Sequence, residues 1–161
     1  MILEILTNQD PTLRKTSKPV KKVTKDIREL ICSMEETLYA APGIGLAAPQ
    51  VGQLVRVIVG DVGDCFYAII NPKIVKKSGK QTFVEGCLSI PGIEAPVERA
   101  EFVTVKGIDK NGKTITVEAT GILATMFQHE IDHLDGTLFV DRVTDPNLIT
   151  FKPKVPREES I

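Results

Sequence analysis

Residues 121–136 read GILATMFQHEIDHLDG, and the pattern of this stretch decides the fold. Its apolar positions follow a helical period from about Gly121 to Leu134, with Thr120 as N-cap and Gly136 placed to end the helix. Inside it, QHEIDH at 128–133 is an HExxH motif. His129 and His133 are four residues apart, so they share one helical face and can offer two imidazoles to one metal ion. Glu130 sits on the rim of that face. The chain has two histidines in all, and both are here. A pair of unrelated surface histidines is the competing reading, and the intervening glutamate disfavours it.

Two imidazoles do not complete a site. The extended protease pattern HExxHxxGxxH is followed as far as Gly136, but Phe139 stands where its third histidine belongs. A downstream carboxylate is another option, from Asp141, Asp145, Glu158 or Glu159, all in or near a non-helical tail. The remaining option is a thiolate. Cys87 lies in EGCLSIPG, between Gly86 and a Pro91-Gly92 turn, where the backbone can bend to bring sulfur to the helix. Cys32, on a long helix, and Cys65, in a strand, read as small buried hydrophobes. One thiolate, two imidazoles and a water leave an open position, the mark of a catalytic metal rather than a structural one. The metal would acidify its water, and Glu130 would accept the proton and later deliver it to a leaving amine.

Working outward, Ile27, Ile31, Met34 and Leu38 recur at helical spacing from Lys25 to about Tyr39, with Thr24 as N-cap and Asp26 in the first turn. Pro42 and Gly43 stop that helix. The segment APGIGLAAPQVG then reads as an irregular loop entering a strand. Val55–Val59 and Phe66–Ile70 read as strands, the second ending ahead of Asn71-Pro72. EFVTVKGIDKNGKTITVEA alternates on both sides of Asn111-Gly112, which predicts an antiparallel hairpin with a type I′ turn. The segment through Pro19 reads as an extended arm. The architecture is therefore α+β, with mixed or antiparallel sheets packed around the central helix that bears HExxH. One catalytic domain over 1–142 and an extended C-terminal tail over 143–161 are expected.

The 161 residues are 42% apolar and 25% charged, which is ordinary globular usage. Lys and Arg number 20 against 21 acids, a net charge of −1, so no global field draws the chain to nucleic acid or anionic lipid. No apolar run approaches the roughly 18 to 20 residues of a membrane span. Glu4 stands where a signal peptide would carry a cation. Three cysteines, an odd number, disfavour a disulfide framework and fit a reducing cytoplasm. GIGLAA also matches a dinucleotide fingerprint, but a helix precedes it and a strand follows, the reverse of the required order. Its glycines serve better for close backbone approach to a ligand, with Gln50 offering an amide donor.

Taken together, GIGLAAPQ (43–50), EGCLS (85–89) and QHEIDH (128–133) resemble, in order, the three signature motifs of the peptide deformylases. The resemblance extends over residues 1 to about 142. It implies removal of the N-formyl group from the initiator methionine of nascent polypeptides. Cys87, His129 and His133 would bind the metal, usually Fe(II) in that family, with zinc, nickel or cobalt able to replace it. Glu130 would be the general acid and base. Gln50 and the Leu88 N–H would stabilise the oxyanion, and Gly45 with its neighbours, Gly86 among the substrate residues, would meet the peptide as an added strand. Ile44, Ile122 and Met126 would wall a pocket for the methionine side chain. The partner would be an N-formylmethionyl peptide, as a ribosome-associated nascent chain; a monomer is expected, with no membrane and no sequence-specific nucleic acid.

Two positions depart from the family pattern. Glu94 stands where many bacterial members carry arginine, and Thr125 where an apolar pocket residue is usual. The tail PNLITFKPKVPREESI also replaces a long charged helix. Two competing readings are a peptidase using the same chemistry and a module that binds formylated ends without turnover.

Overall fold

The computed structural model describes residues 1–151. Its two main helices are α1, Lys25–Ala40, and α2, Gly121–Leu134; the strands are β1, Gly45–Ala47, β2, Val57–Gly60, β3, Tyr67–Ser78, β4, Gln81–Cys87, β5, Ile90–Arg99, β6, Phe102–Ile108, β7, Thr114–Thr120, and β8, Thr150–Phe151. One sheet has the order β1-β2-β3-β6-β7 and the other β4-β5-β8. Every named strand pair is antiparallel. This is the expected α+β arrangement.

Period-2 alternation explains why α1 and α2 lie on opposite faces of the large sheet. Leu46, Val57, Val59 and Ile70 pack with Ile31, Met34 and Leu38 of α1. Their strand neighbours Ala47, Ile58 and Ile69 turn the other way, onto Met126, Phe127, Ile131 and Leu134 of α2. A third cluster, with Cys87, Ile90, Val97 and Phe139, lies against the small sheet. Helix α2 is thus held between two sheets, and ten of its 14 residues are buried. That enclosure is what takes HExxH out of water.

The ends of α1 match expectation: Thr24 accepts a bond from the Ile27 N–H. Several local expectations are corrected. The arm before Pro19 holds a 3-10 turn, Pro11–Arg14, capped by Asp10, and Leu13 there is buried. The glycine loop contains β1, paired to β2, and a 3-10 turn at Ala48–Val51. β3 runs through Asn71-Pro72 because register shifts there absorb the proline, and Asn71 adopts φ 51°.

The hairpin β6–β7 forms, but its turn is not type I′. Gly112 has φ 81° while Asn111 is not in the positive region, and Gly112 N–H donates to the Asp109 carbonyl. A three-residue loop with glycine in the left-handed position results. Thr120 makes no side-chain cap bond to α2. Cys32 and Cys65 are exposed rather than buried, because Cys32 falls off the buried stripe of α1 and Cys65 precedes β3.

Pro91 and Gly92 belong to β5, not to a turn; the chain reverses instead over Leu88 and Ser89, since Cys87 pairs with Ile90. In the tail, Pro146–Leu148 forms a 3-10 turn and β8 adds to β5, with Glu94 opposite Thr150. Glu158 and Glu159 lie outside the described residues.

Candidate metal centre

The two-residue reversal at Leu88-Ser89 carries Cys87 to the face of α2. There the ligand atoms of Cys87, His129 and His133 all lie within 4.8 Å of one another. Cys87 Sγ is 3.4 Å from His133 Nε2, and the two imidazole centroids are 5.1 Å apart. Phe139 stacks on His129 at 6.0 Å. His129 Nδ1 bonds to Glu85 Oε1 at 2.8 Å, leaving Nε2 buried with no partner. A buried nitrogen without a partner costs about 1–3 kcal/mol, and a metal ion would satisfy it.

The donor chemistry fits a divalent cation. Burial pushes both histidines down, His133 furthest, so they are neutral imidazoles, the ligand form. Burial and the Glu130 carboxylate push the Cys87 thiol up to about 12, while the Ser89 and Ile90 N–H groups favour the thiolate. Thiolate formation in this setting needs a cation beside the sulfur. Asp141, one of the carboxylate alternatives, is instead held by Arg14 and the Leu138 N–H. Asp145 caps the Asn147 N–H.

Glu130 is fully covered, and neither carboxylate oxygen has a partner. Burial pushes its carboxyl well above the usual range; Arg99 opposes this, and Glu85 and Asp132 add to it. Gly45 makes room for the group, since a Cβ there would stand 2.5 Å from Glu130 Oε2 and 2.9 Å from Met126 Cγ. A buried carboxyl group that favours its protonated form therefore sits in the same helical turn as the candidate ligands, out of bulk water.

A family model described as polypeptide deformylase matches residues 2–148. The chain belongs to that family. A peptide deformylase of Carboxydothermus hydrogenoformans is 47% identical over 141 residues, 88% of this chain and 93% of the relative. One from Halothermothrix orenii is 50% identical over 144 residues, 88% and 94% of the two chains. The crystal structure of the Thermotoga maritima peptide deformylase superposes with a TM-score of 0.87 at 41% identity, covering 90% of this chain and 99% of that one. A Synechococcus elongatus peptide deformylase in complex with actinonin gives 0.87 at 44%, covering 90% and 80%.

Of the other residues expected from the deformylase resemblance, Gln50 reaches the ligand cluster. Gln50 is buried; its Oε1 accepts the Ala47 N–H at 2.9 Å, and its Nε2 donates to Ser89 Oγ at 3.1 Å and lies 3.6 Å from Cys87 Sγ. Leu88 and Gly86 flank Cys87, Leu88 half-buried and Gly86 buried. Ile44 precedes β1, an edge strand. Met126 is fully covered, its thioether close against Gly60, while Ile122, one turn earlier, is partly exposed. The Thr125 hydroxyl accepts from Gln81 Nε2 at 3.0 Å.

Several residues around the candidate ligands carry no local signal in the sequence. Glu85 receives Arg99 Nε at 2.6 Å and Nη2 at 2.9 Å. Arg99 Nη1 continues to Asp132 Oδ2 at 3.0 Å, and Arg142 grips the same carboxylate. Burial alone would raise Glu85, but the bonds from His129 and Arg99 outweigh it and hold the carboxylate below its usual range. A charged acceptor thus fixes the His129 tautomer with Nε2 facing the ligand cluster. The usable signal was spacing: Glu85 is two residues before Cys87 on a strand, and Asp132 is one before His133.

Proposed function

We propose that this chain is a metal-dependent amide hydrolase that removes the N-formyl group from the initiator formyl-methionine of nascent polypeptides, with Glu130 as general acid and base. Its membership of the deformylase family supports the reaction. The observation that carries the site assignment is the juxtaposition of partnerless His129 Nε2 with Cys87, His133 and the buried Glu130 carboxyl.

Cys87, His129 and His133 would hold the ion, and Fe(II) is the proposed native metal, with zinc, nickel or cobalt also suited to one sulfur and two nitrogens. A divalent ion there supplies Lewis acidity toward water and toward the formyl oxygen. Glu130 takes the proton from the attacking water and gives it to the leaving amine, a role worth about 10²–10⁴ in rate. Gln50 is oriented by the Ala47 N–H, so its amide hydrogens face the Cys87–Ser89 turn; together with the Leu88 N–H it stabilises the oxyanion. Gly45 and Gly86 bind the peptide backbone, for which β1 offers a sheet edge. Ile44, Ile122 and Met126 receive the methionine side chain.

Residues 1–142 form the catalytic unit; the expected tail beyond them continues past residue 151, outside the described residues. The protein acts in the cytoplasm as a monomer on chains emerging from the ribosome. No helix among the described residues is long and apolar enough to cross a membrane.

The test is formate release from a short formyl-Met peptide by metal-loaded, metal-stripped and Glu130→Gln protein. Metal-dependent release is expected, with the variant keeping metal and fold but losing about 10²–10⁴ in kcat. An unchanged rate would sink the Glu130 assignment. Cleavage of unblocked peptides at a similar rate would favour the peptidase reading. Iron-loaded protein should also lose activity in air faster than nickel-loaded protein, through oxidation of metal and thiolate; equal lifetimes would count against an iron site.

A further inference from the structure

Arg99 takes part in a second concavity. A cleft of about 340 Å³ lies between the β3–β4 turn, the end of β5, α2 and the 3-10 turn after it. Lys77 and Lys80 come from the first segment, Glu98 and Arg99 from the second, Asp132 from the helix and Arg142 from the last. None of Cys87, His129, His133 or Glu130 lines it.

Four cations and two carboxylates line the cleft; Arg99 is neutralised from behind by Glu85, which leaves Lys77, Lys80 and Arg142 against Glu98 and Asp132. Asp132 is already committed. Asp132 is shared by Arg99 and Arg142, and Glu98 reaches Lys80 only at 3.9 Å between two exposed groups, a weak pair. Arg142 spends Nε and Nη2 on Asp132; among the described residues Lys77 has no ion pair and Arg142 Nη1 no hydrogen bond. Like charges brought together by separate segments repel, and an anion between them removes that cost.

We propose that this cleft binds a small phosphate-bearing anion. A tetrahedral dianion presents three oxygens in different directions, which suits donors arriving from Lys77, Lys80 and the free edge of the Arg142 guanidinium better than a planar carboxylate does. The volume lies in the range of small-ligand sites, roughly 300–1,000 Å³. Free phosphate and an esterified phosphate share this chemistry. No candidate metal ligand lines the cleft, so the proposal does not depend on the deformylase assignment.

The experiment titrates zinc-loaded, full-length protein with inorganic phosphate or with glycerol 3-phosphate at constant ionic strength, following amide chemical shifts. Saturable shifts at 77–80, 98–100 and 142 are expected. The Lys77→Ala/Lys80→Ala protein should bind at least about tenfold more weakly, from loss of two charge-assisted contacts, with formate release unchanged. Tighter binding of the ester identifies a phosphomonoester as the ligand; the reverse order identifies the free anion. No saturation, shifts confined to the Cys87–Ser89 turn and α2, or undiminished binding by the double variant would overturn the proposal.

Discussion

Arg99 clamps Glu85 with two parallel bonds, Nε to Oε2 at 2.6 Å and Nη2 to Oε1 at 2.9 Å, and both side chains are buried. Because Glu85 Oε1 also holds His129 Nδ1 at 2.8 Å, this pair aims a candidate ligand. Arg99→Lys loses the fork, and Glu85→Gln loses the charge. Either should weaken metal binding about 10- to 100-fold, read by competition with a chromophoric chelator. Metal affinity within twofold of the parent would refute the coupling.

Gly45→Ala should be severe for a steric reason. Its Cβ would stand 2.5 Å from Glu130 Oε2 and 2.9 Å from Met126 Cγ, so the carboxyl must move. A displacement of about 1 Å at the reacting group costs on the order of 10²-fold in rate. Metal content should stay at the parent level while kcat falls. A variant with parent kcat would show that Glu130 has room to spare.

Chelation should soften the fold, since the ion would tie β4 to α2. At free metal about 1,000-fold above Kd, binding adds about 4 kcal/mol, equivalent to roughly 10 °C in Tm for a chain this long. Thiol titration gives an independent reading. Cys32 and Cys65 are exposed and should react in the folded protein, whereas Cys87 is buried and should react only after metal removal and unfolding. Three fast thiols in the metal-loaded protein would contradict the site.

Acid should dissolve the clamp between Arg14 and Asp141, which bond through Nη1 at 2.5 Å and Nη2 at 3.1 Å. The hydrogen bonds from Arg14 hold Asp141 below the usual carboxylate range. A depressed carboxylate adds stability above its unfolded pKa of about 3.9, and that stability is lost as pH falls through the folded value. Both groups are more than a third exposed, so the contribution is no more than about 1 kcal/mol. Asp141→Asn should therefore be less stable than the parent at pH 7 and converge with it in acid. A constant difference by denaturant titration at all pH values would rule out this origin.

The sequence makes α2 and its histidine pair legible because everything needed is local: a 3.6-residue period and two histidines four apart. Gln50 was legible from its place at the end of the glycine loop. The Glu85–Arg99–Asp132 chain was not, because it joins β4, β5 and α2, and no local period reports which strands pair. The β4–β5 hairpin itself is obscured by Pro91, Gly92 and Pro96, which interrupt β5 without ending it. Cys32 is exposed because residue type does not decide burial: its position on α1 falls outside the stripe Ile31, Met34, Leu38. Asn111-Gly112 indicated a hairpin correctly, but turn type depends on loop length, which register with Thr114 decides.

The placement of α2 between the two sheets has a consequence for how the protein is made. Ribosomes deliver the amino end first, so Cys87 emerges well before His129 and His133, by some seconds at roughly 5–20 residues per second. Until α2 arrives, Ile58, Ile69 and Val103 have no helix to cover them. The nascent chain therefore cannot complete the candidate ligand set or close its core until late in its own synthesis, and any arrest before residue 133 leaves a sticky fragment without it.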